Sequence, residues 1–326
     1  MSDRREIVVA DIGGTHARFA LAEVEDGCCV ALGEPVKMQT SEHASLHTAW
    51  EAYAETIGRA LPRAAGIAIA APIAGDTIKM TNNPWIVRPA QIARRLGLDA
   101  HVLINDFAAV AHAVDGVGDE HLMHLAGPDQ PLPDEGVISI VGPGTGLGIA
   151  ALLRTRTGSF VIPTEGGHTD FAPLDSVEDR LLARLREEYT RVSVERIVSG
   201  PGFRTIFEVI AELEGRDMPR GDDKALWTLA LEGSDSVAEA ALDRFCLCLG
   251  AIAGDVALVH GPGPVVVAGG LGYRLRDYLP QSGFEERFTA KGRYTSLMRT
   301  LPVKLITHPE PGLFGAAVAF AKEHSS

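Results

Sequence analysis

Short apolar runs, separated by glycine, proline and charged positions, recur along the first third of the chain. They predict strands at 7–11, 16–24, 29–38, 65–73 and 101–105, and helices near 44–60 and 89–97. Three antiparallel strands therefore come before the first helix. This order differs from the strict strand–helix alternation of a doubly wound dinucleotide fold. The pattern predicts an α/β lobe of another kind.

The pattern after residue 136 predicts a second lobe. Apolar runs at Val137 to Val141 and Ile149 to Leu153 predict a hairpin, and Pro264 to Ala268 a buried strand. Asp175-Ser-Val-Glu178 is typical of a capping box that begins a helix, and a further helix is expected around 236–260.

A Gly-Thr turn lies between two predicted strands at two places in the chain: Asp11-Ile-Gly-Gly-Thr15 and Gly142-Pro-Gly-Thr-Gly-Leu-Gly148. Bare glycine backbone can approach an anion closely, and each turn adds a threonine hydroxyl. One such turn alone is more often a plain hairpin. Thr145 lies 130 positions after Thr15, a domain-sized offset that indicates two related lobes facing one nucleotide.

A third glycine pair, Gly269-Gly270, follows the predicted strand that ends at Ala268. Bare backbone at this turn would let adenine or ribose lie close to the chain, and helix–strand packing explains the same feature equally well. The chain contains no G-x-x-x-x-G-K-[ST] loop. The glycine turns are therefore the candidate nucleotide-binding segments.

Composition excludes several classes of protein. The 326 residues predict about two domains, and 46% hydrophobic with 22% charged residues is ordinary for a soluble protein. A net charge of −13 without a basic stripe argues against a nucleic-acid partner. The longest apolar stretch, 64–74, is too short to span a bilayer, so we expect neither export nor a membrane. Cysteine spacing matches neither a zinc site nor a disulfide framework, which favours a reducing cytosol.

Asp106 is the candidate catalytic residue. It follows the strand Leu103 to Asn105 and begins an apolar-periodic segment. Phosphoryl transfer to an alcohol needs a carboxylate that accepts the hydroxyl proton, and a helix N-terminus keeps such a group ionised. The structural alternative is that Asp106 is only a helix N-cap.

The segment Thr164 to Pro173 places Glu165, His168 and Asp170 around two glycines, too tightly for a regular helix. Its carboxylates and imidazole are suited to the vicinal hydroxyls of a sugar. Metal ligation is disfavoured because Gly166-Gly167 would break the helix that brings Glu-x-x-His ligands together. Glu195 is a further candidate hydroxyl acceptor, although an exposed helical glutamate is the default interpretation.

Six motifs in order resemble the proteobacterial-type glucokinases of the actin/hexokinase/sugar-kinase superfamily. The match reaches Pro311-Gly-Leu-Phe-Gly315, and the chain lacks the Cys-rich zinc motif of the repressor/open-reading-frame/kinase group. The motifs are Asp11-Ile-Gly-Gly-Thr15, Ile104-Asn-Asp-Phe107, Gly144-Thr-Gly-Leu-Gly148, Glu165-Gly-Gly-His-Thr-Asp-Phe-Ala-Pro173, Glu195-Arg-Ile-Val-Ser-Gly-Pro-Gly202 and Ala268-Gly-Gly270.

The resemblance implies a two-lobed actin-like ATPase (ribonuclease H-like) α/β fold, with mixed sheets flanked by helices and a ligand cleft between the lobes. The small lobe would contain 1–115 plus 308–326, because the C-terminal helix from about Gly312 returns to it, and the large lobe 116–307. The implied activity is ATP-dependent phosphorylation of the glucose 6-hydroxyl, feeding glycolysis. The implied cofactors are ATP and Mg²⁺, and the implied assembly is a cytoplasmic homodimer.

Carried over by position, the resemblance assigns a role to each motif. Asp106 is the base, and Asp11 orients hydrated Mg²⁺. The residues implied to bind glucose are Asn105, Asp106, Glu165, His168 and Glu195. Those implied to bind ATP are Ala10, Asp11, Ile12, Gly13, Gly14, Thr15, Gly144, Thr145, Gly146, Gly269 and Gly270. Two positions depart from the family pattern: His16 stands where asparagine is expected, and Pro143 lies inside the second turn.

Three other functions fit parts of this pattern. A kinase for mannose, fructose or an N-acetylated amino sugar would use the same residues. A non-catalytic sugar sensor would be expected to add a DNA-binding segment and basic surface. An ATPase that drives conformational change would not need the polar loop around His168. The resemblance favours glucose.

Overall fold

The computed structural model describes residues 4–80, 83–217 and 221–325. The chain divides into two compact units. One contains the described residues up to Gly118 and those from His308 onward, and the other runs from Asp119 to Thr307. The boundaries predicted from the sequence lie at 115/116 and 307/308.

A six-stranded mixed sheet forms the centre of the first unit. The strands of this unit are β1 (Arg5–Ile12), β2 (His16–Glu25), β3 (Cys28–Leu32), β4 (Val36–Gln39), β5 (Ala64–Ile69), β6 (Ile78–Met80), β7 (Asn83–Val87) and β8 (Ala100–Asn105). The sheet order is β3-β2-β1-β5-β8, β4 also pairs with β2, and β6 and β7 form a separate two-stranded antiparallel sheet. β5 is buried along its whole length, which explains its continuous apolar run.

Helices cover both faces of this sheet. They are α1 (Leu46–Ile57), α2 (Pro89–Leu96), α3 (Asp106–Gly116) and the C-terminal helix (Pro311–Glu323). Alternate side chains of β1 enter two separate cores. Val8 packs in a cluster with Trp50 of α1, whereas Val9 packs in a cluster with Phe320 of the C-terminal helix. Because successive side chains of a strand point to opposite faces of the sheet, β1 contributes to the cores under both helical layers.

The second unit contains another six-stranded mixed sheet. Its strands are β9 (Leu122–Ala126), β10 (Gly136–Pro143), β11 (Leu147–Thr155), β12 (Gly158–Thr164), β13 (Val265–Val267) and β14 (Val303–Ile306). The order is β12-β11-β10-β13-β14-β9. In both sheets, three antiparallel strands are followed by two strands parallel to the first. The two units thus share one topology, with a glycine turn at the same place in each.

The helices of the second unit are α4 (Ser176–Arg186), α5 (Gly200–Leu213), α6 (Asp223–Leu231), α7 (Ser236–His260), α8 (Gly269–Arg274), α9 (Phe284–Thr289) and α10 (Thr295–Met298). α5, α6 and α9 pack against α7, whose residues are buried on most of its faces. In the described ranges, no helix combines the length and the apolar character needed to cross a membrane.

Two local predictions need correction. The run 29–38 is not one strand: Gly33 N donates to Leu21 O at 2.8 Å, and the chain continues as two strands on either side of Pro35. Proline has no N–H to donate to the ladder, which explains the interruption.

The capping box predicted at Asp175-Ser-Val-Glu178 forms only in part. Asp175 caps α4 by accepting from the N–H of Val177 and of Glu178, each at 3.1 Å. Glu178 instead accepts from Leu174 N at 2.7 Å and pairs with Arg244 at 2.9 Å. The side chain of Glu178 is almost fully buried, so it requires a counter-charge, and Arg244 supplies it.

Candidate active site

The first glycine turn joins β1 to β2 and is held from outside by two polar side chains. Thr40 Oγ1 donates to Gly14 O at 2.7 Å, and Asn83 Nδ2 donates to Gly13 O at 3.2 Å. Among the residues that the structure describes, no group accepts from the N–H of Gly14 or Thr15. With its carbonyl oxygens occupied and these two amides available, the turn is suited to bind an anion.

Asp11 ends β1 beside this turn. Its Oδ2 accepts from Arg18 Nη1 at 3.2 Å, and the carboxylate lies against Gly312 in the first turn of the C-terminal helix. Burial raises the pKa of Asp11, and the neighbouring Arg18 only partly opposes this effect. The side chains of Ala10 and Ile12 are completely buried, so only their backbone atoms are candidates for a ligand contact.

The composition of this corner fits a hydrated magnesium ion. Mg²⁺ is commonly bound by one or two carboxylates together with substrate phosphates, and Asp11 is a carboxylate next to an anion-binding turn. Within the described ranges, no three His, Cys, Asp or Glu side chains are grouped closely enough to hold a metal alone. Asp11 would therefore hold Mg²⁺ only together with the nucleotide.

His16 and Pro143, the two positions that depart from the family pattern, both lie at strand ends next to the glycine turns. His16 begins β2 opposite Gln39, and burial together with nearby Lys37 and Arg18 lowers the pKa of its imidazole, which favours the neutral ring. Pro143 ends β10 opposite Leu147, and its carbonyl oxygen lies against Gly269. Pro143 therefore occupies the last paired position of the strand, before the turn itself.

Asn105, and not Asp106, is the N-cap of α3. Asn105 Oδ1 accepts from Phe107 N at 2.9 Å and from Ala108 N at 3.1 Å, and its Nδ2 donates to Ala71 O at 3.2 Å. Both acceptor sites and one donor of the amide are used, which leaves one N–H for a ligand. Asp106 is the first helical residue and its Oδ1 accepts from Phe107 N at 2.8 Å. The capping alternative for Asp106 is therefore wrong.

Strand register brings these groups to one edge of the first sheet. Ile12 pairs with Ile69, and Ile69 pairs with Asn105, so the glycine turn and Asp106 follow the ends of β1 and β8, the two strands on either side of β5. Ligands of open α/β sheets characteristically bind outside the carboxyl ends of the parallel strands.

The second glycine turn joins β10 to β11 and has the corresponding position in the second sheet. Gly144 N donates to Gly146 O at 2.8 Å, and Thr145 at its tip is exposed. Val141 pairs with Val267, which places Gly269 and the exposed Gly270 at the same sheet edge as the turn. The structure therefore brings together the two segments assigned to ATP in this unit.

Gly166–His168 form a short 3-10 turn after β12, and Glu165 directly precedes it. The side chains of Glu165 and His168 are largely exposed, and His168 Nε2 is 4.0 Å from Glu165 Oε2. Gly167 fixes the turn against β11, because a Cβ added there would lie 2.1 Å from Leu147 O. The residues assigned to sugar hydroxyls thus present their polar groups to solvent from a closely packed backbone.

Glu195 is held next to this loop by backbone pairing. Asp170 forms an isolated antiparallel bridge with Ser193, and Val194 N donates to Thr169 O at 2.9 Å. Glu195 belongs to a short 3-10 turn and its side chain bonds to the second glycine turn, so it is not the exposed helical glutamate of the default interpretation.

Several residues at these sites were not singled out from the sequence. Arg18 was detectable, because counting outward along the β1–β2 hairpin places it opposite Asp11. Thr40 and Asn83 carried no such signal: they are distant in sequence from the turn they hold, and only the folded chain brings them there.

A family model described as Glucokinase matches residues 8–323. The chain belongs to the glucokinase family. The glucokinase of Zymomonas mobilis is 58% identical over 320 residues, covering 98% of this chain and 99% of that protein. The crystal structure of a glucokinase from an Antarctic psychrotroph has a TM-score of 0.84 at 33% identity, covering 97% of this chain and 98% of that one.

A more distant structure shares the fold. The ROK family glucokinase from Streptomyces griseus, solved in complex with glucose and AMPPNP, has a TM-score of 0.64 at 21% identity and covers 97% of this chain and 99% of that one. The predicted α/β fold, that of the two-lobed actin-like sugar kinases, is confirmed. The family-level activity is confirmed too: the chain is an ATP-dependent kinase of glucose, and the alternative functions are not favoured.

Proposed function

We propose that Asp106 is the general base when this glucokinase-family chain phosphorylates the 6-hydroxyl of glucose. The hydroxyl oxygen forms a bond to the γ-phosphorus of ATP, the bond from that phosphorus to the β-γ bridging oxygen breaks, and Asp106 takes the hydroxyl proton. The observation that carries this assignment is the position of Asp106 at the start of α3, at the sheet edge that also carries the first glycine turn. The N-terminus of α3 favours its ionised form.

Sugar recognition is assigned to Asn105, Glu165, His168 and Glu195 together with Asp106. The carboxylates accept hydrogen bonds from sugar hydroxyls, His168 accepts or donates, and Asn105 offers its one remaining N–H. Exposure of Glu165 and His168 supports this role, because their polar atoms are accessible to a ligand.

Phosphate binding is assigned to the turns at Gly13–Thr15 and Gly144–Gly146, with Gly269 and Gly270 beside the adenosine. Asp11 would hold hydrated Mg²⁺ together with the phosphates. When bound, the ion neutralises charge that develops on the transferred group. The two available amides of the first turn support the assignment.

The remaining features follow from the family resemblance. We infer that the enzyme works as a homodimer in the cytoplasm, without a nucleic-acid or membrane partner. The four cysteines are free thiols in the structure, which is consistent with a reducing compartment. Light scattering tests the assembly: a species near twice the 34.6 kDa chain mass is expected.

The proposed reaction is tested by measuring ADP formation with Mg·ATP against glucose, mannose, fructose and N-acetylglucosamine. We expect turnover selective for glucose that stops when EDTA removes Mg²⁺. Faster turnover on another sugar would mean that the mechanism is right but that the preferred substrate is not glucose. Turnover in the presence of EDTA would mean that the reaction does not require Mg²⁺. ATP hydrolysis that is equally fast without sugar would contradict the proposal.

A further inference from the structure

Glu195 contacts the second glycine turn directly. Its Oε2 accepts from Leu147 N at 2.9 Å, at the point where the turn enters β11. The same oxygen lies over Gly146, since a Cβ added to this glycine would be 2.3 Å from it. The carboxylate therefore occupies the space that a side chain at residue 146 would fill.

The segment that carries Glu195 also holds the other end of this turn. Gly200 N donates to Gly144 O at 2.8 Å, and Ser199 caps α5 by accepting from Gly202 N at 3.2 Å. Residues 195–200 thus fix the turn at both of its ends. Because one end rests on the side chain of Glu195, the orientation of the turn depends on that carboxylate.

We propose that Glu195 is a positioning residue for the ATP phosphates as well as a sugar contact. This inference rests on the proposed function, which assigns the second turn to phosphates and Glu195 to glucose. A carboxylate has about four acceptor positions on two oxygens. Oε2 can therefore hold Leu147 N–H while Oε1 binds a sugar hydroxyl, so that one group serves both ligands.

A shared carboxylate couples the two ligands thermodynamically. Glucose that binds Oε1 restricts the Glu195 side chain and so favours the turn conformation that receives phosphates. Coupling of binding free energies is reciprocal, so nucleotide at the turn must favour glucose by the same factor. Glu165 offers a matched comparison, because it is a carboxylate of the sugar loop whose side chain lies near His168, and it forms no hydrogen bond to the turn among the residues that the structure describes.

The test is calorimetric titration of Mg·AMPPNP into sugar-free protein. We expect Glu195→Ala and Glu195→Met to weaken AMPPNP binding roughly tenfold, the effect of losing one charge-assisted hydrogen bond. Glu195→Gln keeps a carbonyl oxygen that can accept from Leu147 N and should retain most of the affinity. Glu165→Ala should leave AMPPNP binding unchanged while it raises the KM for glucose.

The variants separate this inference from the proposed function. Wild-type AMPPNP affinity in folded Glu195→Met, or equal losses in the Gln and Met variants, would overturn the positioning role. The Gln and Met pair has side chains of similar length, so the comparison survives if the Ala variant fails to fold. An unchanged glucose KM in Glu165→Ala would instead contradict the sugar assignment and leave the nucleotide result standing.

Discussion

Asn105 donates a hydrogen bond from its Nδ2 to the carbonyl oxygen of Ala71, at 3.2 Å. Ala71 follows β5 and Asn105 ends β8, so this bond joins the ends of two neighbouring parallel strands. Its Oδ1 meanwhile caps the helix that Asp106 begins. The direction of the proposed base is thus fixed by the residue before it.

Asn105→Ala should therefore lower both stability and activity. Loss of the N-cap is expected to reduce the free energy of unfolding by about 1 kcal/mol, within the usual range for such caps, and kcat should fall because Asp106 loses its fixed position. Urea unfolding and steady-state kinetics measure the two effects. Asn105→Asp is the comparison: it keeps the capping oxygen but replaces the Nδ2 donor to Ala71 O with a carboxylate oxygen, so it should recover only the capping part of the stability. Unchanged kcat in Asn105→Ala would contradict the positioning role.

Gly167→Ala should disturb the sugar loop. A Cβ there would lie 2.1 Å from Leu147 O, and a backbone atom cannot move aside without shifting β11. We expect the KM for glucose to rise more than the KM for Mg·ATP. Gly166→Ala is the comparison, because the atom nearest to its Cβ would be in the side chain of Ile149, at 3.1 Å, and its effect should be smaller. Equal effects of the two substitutions would argue against this packing.

Asp11→Asn should separate stability from function. Burial raises the pKa of Asp11, so ionising this carboxylate at neutral pH costs stability, and the neutral amide removes that cost. Arg18 keeps Glu310 at 3.8 Å as a partner. We expect an unchanged or higher Tm together with a raised KM for Mg·ATP. A lower Tm would mean that the pair with Arg18 outweighs the desolvation of Asp11.

His112 should make the protein sensitive to mild acid. Burial and Lys322 lower the pKa of this histidine from 6.5 to about 4, although Asp115 opposes them. The unfolded chain therefore binds a proton below pH 6.5 that the folded chain does not, and stability is lost as pH falls from 6.5 toward 4. The loss amounts to about 3 kcal/mol at most. The free energy of unfolding of His112→Leu should depend less steeply on pH across this range than that of the wild type. Identical pH dependence in the two proteins would show that His112 is not the cause of the acid sensitivity.

Much of the fold could be predicted from local patterns. The hairpins around both glycine turns show alternating apolar positions, and the buried strand β5 is a continuous apolar run. The helix α7 was predicted at 236–260, the range that it occupies. Other strands were harder: β14 spans only Val303–Ile306, and β12 is an edge strand whose Phe160 and Ile162 are exposed. Such elements depend on neighbours far along the chain, which a local pattern does not contain.

The candidate site shows the same limit. The sequence identified Asp106 as a candidate, but the side chain that caps its helix is that of Asn105. Asparagine and aspartate are almost equally good caps, so the sequence alone could not decide between these two neighbours. The bond from Leu147 N to Glu195 joins residues 48 positions apart and could not be inferred from either motif alone. The residue types identified the candidate catalytic and binding side chains, whereas the hydrogen-bond partners of those side chains depend on the fold.

Asp106→Asn tests whether Asp106 accepts the proton of the sugar hydroxyl. Asparagine is nearly isosteric but cannot act as the base. With glucose and Mg·ATP we expect kcat to fall by about 10²–10⁴, the usual range for loss of a positioned general base, while the Tm and the glucose affinity stay close to wild type. A folded Asp106→Asn protein with wild-type kcat would show that Asp106 is not the general base.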